Sequence, residues 1–227
     1  MAAFQDSHTL ADHLFRDAIN RLEAASPTVN YFSVKSVGGA ARILGFESYA
    51  DRCAAILQTL PDASFTAGAI ANFPMPKRVP AGFRQILDME QLNAYHPPLT
   101  DASVAKYIAE CGSSQEHLRL IVHGDYDAAF AAAKTELDVE ECASAQAVLG
   151  DIESALRSAS TVVVPEFRAN NVRFICTSEL FRRERFDDAN QLFDSIYPSQ
   201  MGPDAAAQMA LGANHRLPWL GYPFPDW

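Results

Sequence analysis

Histidines stand at positions 8, 13, 96, 117, 123 and 215 of the 227-residue chain, and imidazole is the side chain whose charge changes nearest neutral pH. The stretch Asn214-His215-Arg216, followed by Trp219, gathers what a small-molecule site needs. His215 supplies a titratable base, Arg216 a fork for a carboxylate or phosphate, and the aromatics a cover. His215 and Arg216 are therefore the candidate catalytic residues if the chain is an enzyme. The densest basic cluster is Arg182, Arg183 and Arg185, with Arg173 about three helical turns upstream. These four read either as a clamp for an anion or as a helix end with local ion pairs.

Other spacings are less productive. His117 and His123 are six positions apart, about 240° around a helix, so one helical face cannot offer both to one ion. His8 and His13 have Asp6 and Asp12 beside them, but in no metal-motif spacing. The sequence contains no G-x-S-x-G elbow, phosphate loop or dinucleotide fingerprint. Neither metal nor cofactor is expected. The acid pairs Glu140-Glu141 and Asp187-Asp188 read as helix-start charges, favourable against the macrodipole, rather than as a catalytic dyad.

Acids outnumber bases by 28 to 18, a net charge of -10 with pI near 5.0, which argues against a phosphate-backbone partner such as DNA or RNA. Charges interrupt every apolar stretch before it reaches membrane-spanning length, and the first residues lack the basic start and apolar run of a signal peptide. The expected setting is cytoplasmic. Cys53, Cys111, Cys142 and Cys176 are far apart, without a metal or disulfide pattern, and read as reduced thiols in helix cores.

The elements that must carry these residues are helices. Leu10, Leu14, Phe15, Ala18, Ile19 and Leu22 recur at helical steps over Thr9 to Ala25. Further helices are predicted over Tyr31 to Leu44, with Gly38 and Gly39 permitting close packing, and over Ser48 to Leu60. Five prolines between Pro74 and Pro98 mark a connector. Helical spacing then predicts 101–110, 113–122, 126–137, 139–159, 166–183 and 186–196. Thr161 to Val164 is the only strand-like run, too short to pair. The fold class is all-α: a bundle-like N-terminal lobe (1–60), the connector (61–98), stacked antiparallel α-hairpins (99–200) and a docked C-terminal tail (201–227). Trp219, Tyr222, Phe224 and Trp227 alternate with prolines in that tail, which favours an extended chain seeking a surface in cis, on a partner or on a second copy.

Two short resemblances add expectations. Lys35-Ser36-Val37-Gly38-Gly39-Ala40-Ala41-Arg42-Ile43-Leu44-Gly45, with Tyr49, Cys53 and Leu57 following, resembles the signature helix of histidine-phosphotransfer domains over residues 35–58. Lys35 stands where that family carries its phosphoacceptor histidine, and an ammonium is not the nucleophile phosphoryl relay requires. The resemblance implies a four-helix bundle without relay chemistry, a pseudo-phosphotransfer docking domain. His123-Gly124-Asp125-Tyr126-Asp127-Ala128-Ala129-Phe130 and Glu184-Arg185-Phe186-Asp187-Asp188-Ala189-Asn190-Gln191 resemble tetratricopeptide-type hairpins, over 113–137 and 173–197. Their spacing of 60 residues departs from that family's period of about 34. That likeness implies protein or peptide binding.

The expected function is non-catalytic protein binding, as an adaptor, regulator or subunit. Arg173, Arg182, Arg183, Arg185 and the tail aromatics are the candidate contacts. The alternative is a small-molecule enzyme or ligand carrier with a pocket between lobes near the tail.

Overall fold

The computed structural model describes residues 3–26, 29–60, 98–100, 102–106, 115–161, 166–196 and 201–216. Most of the predicted connector, Cys111, the valines after Thr161 and the tail from Leu217 onward lie outside them. The bounded helices are α1 (Ser7–Ala25), α2 (Tyr31–Ile43), α3 (Glu47–Thr59), α4 (Glu116–Val122) and α5 (Tyr126–Ala132), then α6 (Glu136–Leu149), α7 (Ile152–Thr161), α8 (Glu166–Arg182), α9 (Phe186–Ser195) and α10 (Pro203–Ala213). Residues 102–106 are also helical. Among the described residues there is no strand, only an isolated antiparallel bridge between Pro98 and Arg216, so the chain is all-α. No described helix is long and apolar enough to cross a membrane.

Turns of two or three residues join α4 to α5, α6 to α7 and α8 to α9, links so short that each pair folds back as a hairpin. The first helices of the three hairpins pack side by side, α4 on α6 and α6 on α8, and α10 extends the row beyond α8. On its other side α10 packs against α1 and α2, which with α3 complete the N-terminal set. One buried apolar cluster consequently runs from Phe15, Ile19 and Val37 through Met209 and Leu211 to Phe181 and Phe193. A smaller one surrounds α4, built from Val104, Leu118, Ile121, Ala129, Cys142, Ala145 and Val148.

The segment from 201, expected to open with an alanine-rich helical turn at Ala205 and continue as a docked tail, thus begins with a full central helix. Ala206, Ala207, Met209, Ala210, Leu211, Gly212 and Ala213 are all buried, and side chains this small let three neighbouring helices approach. The single helix predicted over 139–159 is two. Gly150 adopts φ 113° and ends α6, and the Asp151 carboxylate caps the next helix by accepting from the amide of Ser154 at 3.2 Å. The helix predicted over 126–137 stops at Ala132, because Thr135 and Asp138 form a reciprocal capping box that starts α6 instead.

Five helices close with one hydrogen-bond pattern, in which two successive amides turn back to the last carbonyls. Phe46 donates to Ala41, Asp125 to Leu120, Asp151 to Gln146, Arg185 to Leu180 and Arg216 to Leu211, at 2.8 to 3.1 Å. The residue before each donor has positive φ, a glycine at three ends but Glu184 and His215, both at 59°, at the others.

Candidate functional site

The C-terminal motif is assembled at the end of α10. Asn214 ties it to the start of α1, donating from Nδ2 to the carbonyls of Ser7 at 3.0 Å and Ala210 at 2.9 Å. His215 is exposed, and its carbonyl accepts from the amide of Leu99 at 2.9 Å. With the Pro98 to Arg216 bridge, this holds the motif itself to the segment leaving the connector. His215 therefore has a backbone role, as the left-handed residue of a helix cap. Trp219, Tyr222, Phe224 and Trp227 lie outside the described residues.

The basic cluster is engaged by neighbouring carboxylates. Arg182 donates to the Glu179 carboxylate at 2.5 Å and Arg183 approaches it at 3.5 Å. Arg185 bridges Asp188 at 2.7 Å and Glu153 at 3.4 Å, while Arg173 donates to Asn170 at 2.7 Å. Glu179 is fully buried. Burial pushes its carboxyl up, and the two guanidiniums oppose that shift. The Arg183 guanidinium also lies over the α6–α7 turn, where a Cβ added at Gly150 would stand 3.0 Å from Nη2. These are local ion pairs at a helix end, and their buried member Glu179, three and four residues before Arg182 and Arg183, was not singled out from the sequence.

Lys35 lies half-buried on α2, in the set formed by α1, α2, α3 and α10. Burial lowers its ammonium from 10.5 to about 8. Gly38 and Gly39, three and four residues on, are buried.

One polar group escaped sequence reasoning. His117 on α4 and Glu141 on α6 are both nearly inaccessible, and His117 Nε2 meets Glu141 Oε2 at 2.9 Å. Glu141 belongs to the pair read as helix-start charges. Both acids instead lie within α6, where Glu140 accepts from Arg168 at 2.7 Å and from Asn171 at 2.8 Å. Burial pushes the Glu141 carboxyl up, the His117 hydrogen bond pulls it down, and the neighbouring charges of Asp138 and Glu140 raise it again. Asp138 completes the group: one nitrogen or oxygen atom from each of His117, Asp138 and Glu141 lies within 4.8 Å of the others. The three-residue step from Asp138 to Glu141 was visible in sequence; the contribution of His117 from another helix was not.

No family model, curated protein or solved structure matches this chain.

The α4–α5 and α8–α9 hairpins are built alike. Leu120 and Leu180 accept the closing bond of their first helix, Gly124 and Glu184 take the left-handed conformation, and Tyr126 and Phe186 open the second helix. Ala129 and Ala189, one turn into that helix, are both fully buried, as a close crossing of two helices requires. α6 and α7 make a third hairpin between them.

Proposed function

We propose that the protein is a non-catalytic helical scaffold that binds a partner protein through its stacked α-hairpins, as an adaptor, regulator or assembly subunit. The observation that carries this reading is the row α4, α6, α8 and α10, flanked by the second helices of consecutive hairpins. The second helices α5, α7 and α9 carry exposed side chains on three successive elements of this stack, an arrangement suited to an extended or helical partner segment.

The charge of the flanking helices favours a basic partner. α5, α7 and α9 expose Asp127, Glu153, Asp187, Asp188 and Asp194 against the single base Arg157. Arg185 occupies Glu153 and Asp188, so Asp127, Asp187 and Asp194 are the acids offered to a partner. Complementary charge of this kind sets on-rate and selectivity more than affinity.

The reading is tested by affinity capture of the full chain from its native lysate beside the triple variant Asp127→Asn, Asp187→Asn, Asp194→Asn. A stoichiometric protein retained by the parent and depleted by the variant is expected. A co-purifying small molecule without protein would contradict the scaffold and favour the carrier or enzyme reading.

A further inference from the structure

We propose that His117, Asp138 and Glu141 form a binding site for one divalent first-row transition ion, with Zn²⁺ the best match, joining the first hairpin to α6. The donors come from two helices. His117 lies on α4, and Asp138 and Glu141 are one turn apart on α6, which places both carboxylates on the α6 face that meets the imidazole.

Three observations support an ion over a bare hydrogen bond. The first is convergence, since one donor atom of each residue lies within 4.8 Å of the others. The 2.9 Å between His117 Nε2 and Glu141 Oε2 is close to the ~3.3 Å edge of a tetrahedron with bonds of ~2.0 to 2.1 Å. The second is charge. His117 and Glu141 are 5% and 4% exposed beside an apolar cluster that includes Leu118, Ile121, Cys142 and Ala145, and the adjacent Glu140 takes Arg168. Two carboxylates thus share one imidazole, and a divalent cation with neutral His117 brings the trio to neutrality.

The third is preorganisation. Asp138 Oδ2 accepts from the amides of Lys134 at 2.7 Å and Thr135 at 2.9 Å, and Oδ1 from the Thr135 hydroxyl at 2.8 Å. A carboxylate has about four acceptor positions, so one remains on Oδ1 while the cap bonds fix its direction, as outer partners of metal ligands do. An imidazole nitrogen with two carboxylates suits zinc and its neighbours. Calcium takes about six to eight oxygens, and magnesium keeps several waters.

The test uses the full-length protein stripped by chelator and titrated with Zn²⁺ by calorimetry. One ion per chain is expected, with X-ray absorption showing nitrogen and oxygen donors that include one imidazole. Glu141→Gln, which keeps size and hydrogen bonding, should weaken binding by more than about tenfold, as should His117→Gln, whereas His123→Ala should leave it unchanged. Absence of saturable uptake at micromolar zinc overturns the assignment, as does sulfur in the first coordination shell or affinity that Glu141→Gln does not alter. The absorption spectrum of the unmodified protein decides the matter even if a variant fails to fold.

Discussion

The side-chain amide of Asn190 reads the backbone of Phe4 in both directions: Oδ1 accepts from its amide and Nδ2 donates to its carbonyl, each at 2.7 Å. The Phe4 ring meets Phe181 and Phe193 edge-on, with centroids at 6.4 and 5.4 Å. The segment at Phe4 is thereby docked on the α8–α9 hairpin, 186 residues away. Replacing Asn190 by Ala leaves both backbone groups of Phe4 without this partner in a half-buried place. A loss of about 1 to 3 kcal/mol is expected in urea unfolding, with a smaller loss for Asn190→Asp, which keeps only the acceptor.

Glu184 and His215 hold the left-handed conformation that glycine takes at the three sister helix ends. Residues with a Cβ are strained there by about 1 kcal/mol, so Glu184→Gly and His215→Gly should each raise stability by a few tenths to about 1 kcal/mol, net of glycine's unfolded-state entropy. Gly150→Ala should do the reverse, because it adds backbone strain and presses on Arg183. Thermal unfolding of the three variants checks the set, and a destabilised His215→Gly would show that the imidazole itself does more than the cap requires.

Glu179 makes an internal charge test. Arg182→Met leaves a fully buried carboxylate with only the 3.5 Å approach of Arg183, and should cost about 3 kcal/mol. The double variant Glu179→Leu, Arg182→Met removes both charges and should recover most of that loss. Equal damage from single and double variants would contradict the pairing.

Legibility from sequence followed the physics of each element. The first three helices were readable because their apolar residues recur at helical steps, and the observed bounds fall within two residues of the predicted ones. The break at Gly150 was missed because helix-forming residues continue on both sides, although Gly150 followed by Asp151 is the local signal of a glycine stop and a capping carboxylate. The central place of α10 was hidden: a run of alanines has no apolar stripe to measure. At the candidate sites, the pairs around Glu179 follow a three- and four-residue spacing on one helix, although Glu179 itself was not singled out, whereas His117 meets Glu141 across 24 residues, a contact only the tertiary fold creates.

Lys35 provides a pH test. Its folded ammonium titrates at about 8, below the ordinary 10.5, so between these values the unfolded chain binds more protons than the folded one. Stability should therefore rise with pH from about 8 to 10.5 through this group, and be lowest with respect to it below 8, where the buried amine is charged in both states. Lys35→Met should remove that part of the slope. An unchanged pH dependence from denaturant midpoints would place Lys35 in contact with water.

The central claim is that the hairpin stack is a protein-binding surface. Its most direct test is hydrogen exchange of the protein alone and in complex with the partner recovered by capture, followed helix by helix. Added protection is expected on α5, α7 and α9, fading as salt screens the acidic side chains. Protection confined to α1, α2 and α3, with the hairpins exchanging as in the free protein, would contradict it.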